Sequence, residues 1–132
     1  MSAFVVFLRV LAPVFLLVAA LHLVLGARAD VLLGAHLPAE VLADPALDSQ
    51  NRFYGVSFAL YGVLLWLGAG DVPRFAPVLR CVLWAFLAAG LARLVSIVSH
   101  GAPPPMVLAL LASELLVPPL ALWWLGKVTR AS

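Results

Sequence analysis

Four stretches of this chain, roughly 3–27, 53–70, 77–99 and 105–126, are apolar over about the 20 residues a helix needs to cross a bilayer. A helix satisfies its own backbone hydrogen bonds, so such stretches are read as helices, not as lipid-exposed loops. Only 11% of the 132 residues are charged and 65% are hydrophobic, whereas soluble domains carry about 25% charge. One small core cannot bury that much apolar surface. The sequence therefore predicts an all-α membrane protein, a single domain over 1–132 built as a four-helix transmembrane bundle. The connections are a long loop at 28–51, a short one at 71–76 and a very short one at 100–104, and no internal repeat is visible.

Arginine and lysine set the orientation of such a chain. With the N-terminus inside, Arg9, Arg74, Arg80, Lys127 and Arg130 are cytoplasmic, and only Arg28 and Arg52 face outward. The first loop carries Asp30, Glu40, Asp44 and Asp48, which suits the outer side. Trp66, Trp84, Trp123 and Trp124 then fall near the cytoplasmic interface, where indoles anchor. Both termini are thus expected in the cytoplasm. Arg9, the following apolar run and Ala27-Arg28-Ala29 imitate a signal peptide, but the uncharged run from Val10 to Ala27 exceeds the usual signal core of about 7–15 residues, and a retained helix is expected. In the long loop, Pro38–Ala43 can form a short amphipathic turn capping the bundle, or the loop can be disordered.

Arg93 and Glu114 stand alone inside the third and fourth apolar runs. A charge near mid-bilayer costs about 2.5–3.5 kcal/mol, so it faces a partner or a wet cavity. At about 1.5 Å per residue, Arg93 lies roughly 9 Å, Glu114 roughly 12 Å and His22 roughly 8 Å below the outer surface. Arg93 and Glu114 are therefore expected to meet. Gly90, Arg93, Ser96 and His100 share one broad helix face, while Asn51 and Arg52 stand at the outer mouth of the second helix. The candidate ligand-binding set is Arg93, Glu114, Arg52, Asn51, Ser96, His22 and His100. A bland account stands beside it: a structural ion pair, a hydrogen-bonded interior His22 and an exposed turn residue at His100.

Other features concern packing. Gly55, Ala59 and Gly62 form a small-residue face that permits close helix approach, within one bundle or in a homo-oligomer. Pro118 and Pro119 lack the N–H groups that would bond the carbonyls of Glu114 and Leu115, so a bend is expected there. The lone Cys81 reads as a small apolar residue. No tight histidine motif implies a metal. No nucleophile elbow, phosphate-binding glycine loop or cofactor fingerprint is present, so no cofactor and no catalytic residue is assigned. The net charge of +2 comes from helix-end arginines, without a basic run that would suit nucleic acid.

The motifs DSQNRFYG (48–55), LARLVSIVSHGAPPP (91–105) and SELLVPP (113–119) resemble a bacterial four-helix membrane family, domain of unknown function 4345. Asn51, Arg52, Phe53, Gly55, Arg93, Ser96, Gly101, Pro103, Glu114 and Pro118 occupy the matching positions over nearly the whole chain. Ala92 departs from the glycine expected before the arginine, which should loosen helix packing there. The resemblance implies architecture and no activity. The leading expectation is a non-enzymatic, multi-pass protein of the bacterial inner membrane, in contact with membrane lipids, whose outward-facing polar pocket binds a small amphipathic molecule or lipid head group. Alternatives are a small proton-coupled transporter using Glu114, a membrane enzyme using Glu114 or His22 on a lipophilic substrate, or an accessory subunit of a larger membrane complex.

Overall fold

The computed structural model describes residues 3–130, and these form α1 (Ala3–Leu25), α2 (Arg28–Leu32), α3 (Ala39–Leu42), α4 (Pro45–Gly68), α5 (Val72–His100) and α6 (Pro105–Arg130). Among the described residues there is no strand. Helices α1, α5 and α6, of 23, 29 and 26 residues, are each long and apolar enough to cross a membrane. Helix α4 is as long, but Asp48, Gln50, Asn51 and Arg52 make its first turns polar.

Two helices begin earlier than the apolar runs suggest, and capping explains both. The side chain of Asp44 accepts from the backbone N–H groups of Ala46 and Leu47 at 2.8 and 2.9 Å, with Pro45 in the first turn. This combination satisfies free amides and presets the backbone, so α4 starts at Pro45 rather than at 53. Asp71 accepts from Arg74 N–H at 3.1 Å and starts α5 at Val72 rather than at 77. Helix α5 stops where Gly101 takes φ +91°, ahead of the proline run. Helix α6 continues unbroken through Pro118 and Pro119.

Helices α1 and α4 pack antiparallel through glycine. A Cβ at Gly55 would stand 3.1 Å from the Ala19 carbonyl oxygen, and one at Gly62 would stand 3.0 Å from that of Ala12. The two contacts repeat one heptad apart on both helices, which holds the backbones close along their length. Helices α5 and α6 form the second hairpin, with Gly90 against Glu114 and Leu115. The hairpins join at the end opposite the long loop. There Phe4, Leu8, Leu65, Leu79, Leu83 and Leu125 are almost fully buried, and the Phe4 ring meets Trp124 edge-on at 5.3 Å. The outer faces remain apolar: Val10, Leu17, Phe53, Leu60, Val98, Leu116 and Leu120 are all exposed.

The segment between α1 and α4 is folded over the other end as a cap containing α2 and α3. The expected turn at Pro38–Ala43 is α3. The cap is tied down by one clasp. Gly26 turns the chain with φ +55°, and a Cβ there would collide with the Asp48 carboxylate. Asp48 accepts from Ala27 N–H and from Arg52 Nε, the latter at 2.7 Å, while Arg52 Nη1 donates to the Leu23 carbonyl.

Gly62→Val should lower the stability of the solubilised protein by about 1–3 kcal/mol, because the added atoms meet both the Leu16 side chain and the Ala12 backbone carbonyl, which cannot move aside freely. Gly126→Ala is the control, since nothing lies within 4 Å of a Cβ there. Thermal unfolding in mild detergent compares the two, and equal melting temperatures would refute the close-packing account.

Candidate functional site

Where the hairpins diverge beneath the cap, a cavity of about 580 Å³ remains. Its walls are mostly apolar. Leu11, Val14, Phe15 and Val18 of α1 face Val107, Leu110 and Val117 of α6, with Phe58 and Phe86 closing the sides. The cap supplies the lid through Leu33, Leu37 and Val41. This apolar lining explains why a connection so rich in acidic residues folds back at all: its leucines and valine have a surface to cover.

Five polar side chains reach the cavity: His22, Asp30, Arg93, Ser113 and Glu114. Arg93 Nε donates to Glu114 Oε2 at 2.7 Å. Glu114 is buried, whereas the Arg93 side chain keeps 36% of its surface exposed. Gly90 sets this geometry, because a Cβ there would come within 2.9 Å of the Glu114 Cβ. The missing side chain brings α6 against α5 one turn from Arg93. Within the described residues, no protein group accepts a hydrogen bond from Arg93 Nη1 or Nη2, so those donors are left unengaged. Ser113 is occupied with its own helix, its hydroxyl donating to the Leu110 carbonyl at 2.7 Å.

His22 is 5% exposed. Its Nδ1 lies 2.9 Å from the Val18 carbonyl oxygen, which can only accept, so Nδ1 carries the hydrogen. Nε2 then points toward Asp30 Oδ1 at 3.7 Å, beyond hydrogen-bond distance.

Three of the seven residues expected at the site, Arg93, Glu114 and His22, line this cavity. Arg52 belongs to the clasp at the α1–α4 corner, where it serves the fold. Asn51 is buried, but its amide donates to the Leu47 carbonyl at 3.2 Å. Ser96 and His100 lie exposed on α5 and do not face the cavity. The broad face they share with Arg93 was too broad: seven further residues of helix carry His100 beyond the recess. Ala92 is also exposed, so its departure from glycine loosens no packing; the close approach belongs to Gly90. Sequence reasoning missed Asp30. Its signal was an acidic residue soon after the turn that ends α1, within reach of the interior His22.

Two outcomes are expected. Arg93→Leu strands a buried carboxylate and should cost about 3 kcal/mol, most of it recovered in the double variant Arg93→Leu/Glu114→Leu; denaturation of both in detergent decides, and a double variant as weak as the single one would contradict the pairing. The hydrogen bond from Arg52 holds the Asp48 carboxyl below its ordinary value of 3.8. Its contribution to the clasp is complete above that ordinary value and fades as pH falls through the lower folded-state value. Cleavage of the cap by an acid-active protease should therefore rise on acidification in the native chain, and be high and nearly flat with pH in Arg52→Gln.

Among known proteins, the model of a family described as Domain of unknown function (DUF4345) matches residues 3–125. No curated protein and no solved structure matches the chain.

Proposed function

From the geometry of this chain, which belongs to the DUF4345 family, we propose a membrane-embedded binding protein for a small amphipathic molecule. The observation that carries this reading is the cavity itself. Its volume of about 580 Å³ falls inside the range of about 300–1,000 Å³ common for small-molecule sites, and it pairs apolar walls with a few convergent polar groups. The apolar body of a ligand would lie between α1 and α6, with its polar group among His22, Asp30, Arg93 and Glu114.

In this proposal all four long helices cross the bilayer. Helix α4 is locked to α1 through Gly55 and Gly62 and presents Val56, Leu60, Val63 and Trp66 outward, so it shares the depth of α1. Both termini are cytoplasmic by the arginine and lysine distribution, the cap is extracytoplasmic, and the membrane is the bacterial inner membrane. Arg52 serves by fixing the cap, Asn51 bonds within its own helix, and neither touches the ligand. The Arg93–Glu114 bond favours binding over proton-coupled exchange, since a carboxylate already paired with a guanidinium has little reason to take up and release protons in each cycle.

Native mass spectrometry of the protein released from membranes tests the reading. A co-purifying amphiphile is expected, and it should be lost from Phe86→Trp, in which added bulk fills the cavity wall without touching a polar group. Retention of that amphiphile by a folded Phe86→Trp variant would place binding elsewhere.

A further inference from the structure

The charges around the cavity do not balance. Arg93 and Glu114 are bonded to each other at 2.7 Å and cancel. The remaining formal charge is that of Asp30, whose carboxylate accepts no hydrogen bond from any described residue. Opposite it stands Nε2 of His22, which in the neutral ring, with the hydrogen on Nδ1 bonded to Val18, presents a lone pair. Two acceptors thus face one another across 3.7 Å, on a histidine that is 5% exposed and a cap residue lining the same cavity. At that distance neither hydrogen-bonds the other. What the gap lacks is a donor with positive charge.

We infer that this pair receives a primary ammonium group, and hence that the ligand is an amine-bearing amphiphile. The inference rests on the binding reading above and adds the chemical class. A nitrogen about 2.9 Å from both acceptors would subtend about 80° between them, an angle two N–H bonds of one ammonium can serve with modest bending. One N–H goes to the Asp30 carboxylate as a charge-assisted bond and the second to His22 Nε2. A hydroxyl has one hydrogen for two acceptors. A quaternary ammonium has none and cannot approach as closely. A carboxylate would add a second negative charge beside Asp30. The arrangement also ties the ligand to the cap, because Asp30 belongs to α2 while His22 belongs to α1.

The test uses the full chain in phosphatidylcholine nanodiscs and four twelve-carbon probes: dodecylamine, dodecyltrimethylammonium, dodecanol and dodecanoate. Saturable binding of dodecylamine is expected, at least about tenfold tighter than that of the trimethylated cation, which carries the same charge without N–H donors. Asp30→Asn should bring dodecylamine down to the level of the trimethylated probe, and Asp30 is exposed enough for the exchange to leave the fold intact. If dodecanoate, dodecanol or the quaternary probe binds as well as the amine, or if Asp30→Asn leaves the amine unaffected, the cavity still binds amphiphiles and the ammonium assignment is wrong. If none of the four binds saturably, the binding reading itself fails.

Discussion

One bond disciplines the wider half of this molecule, that between Arg93 and Glu114. A guanidinium and a carboxylate within apolar runs have few tolerable places, and each supplies the other with one. The requirement acts on the whole hairpin. It demands that α5 and α6 stand close at that level, and Gly90 permits it by offering no side chain to the Glu114 backbone. The space the hairpins face continues below that level to Leu11, Phe86 and Val117, beyond which the helices converge on leucine and phenylalanine. The pair therefore stands within the wall of the hollow end.

The hollow end persists because the two hairpins are held by different means. Glycine contacts tie α1 to α4 along their length, so neither can lean inward to fill the gap. The far hairpin is fixed by its ion pair and by the junction near Gly68, Leu79 and Ala76. A membrane gives no hydrophobic drive to close such a space, since lipid is as apolar as the walls. Closure from above falls to the cap, whose leucines cover the opening and whose position depends on Gly26, Asp48 and Arg52. The DSQNRFYG segment thus reads as a hinge pin for the lid.

Much of this was legible in the residues, because lipid leaves a chain so few options. The all-helical class, the long helices and the candidate spans in α1, α5 and α6 follow from uninterrupted apolar length. The opposite charges of Arg93 and Glu114 on adjacent segments pointed to each other. Capping acts outside apolar length, and Asp44-Pro45 and Asp71 extend two helices past their apolar limits. The roles of Arg52, Asn51, Ser96 and His100 were not legible. Polarity and helical spacing say that a residue lies near a helix end or on a face; they do not say whether a neighbouring carbonyl or carboxylate has already engaged it. Asp30 was hidden for the reverse reason, since a loop acid acquires meaning only when the loop folds back over an interior histidine.

That pairing also separates two kinds of polar group in one recess. Arg93 and Glu114 satisfy each other, so their strongest consequence is architectural, with only the outer guanidinium nitrogens left unengaged. His22 and Asp30 do not satisfy each other: one nitrogen is committed to Val18, the other meets an acceptor beyond bonding distance. An acceptor on a mostly apolar wall gains most from a donor that arrives to bond it. In the proposed reading a closed ion pair builds the recess, and an open acceptor pair at its lid gives it a preference. Selectivity in such a site arises less from the charges that first draw attention in the sequence than from the groups they leave unmatched.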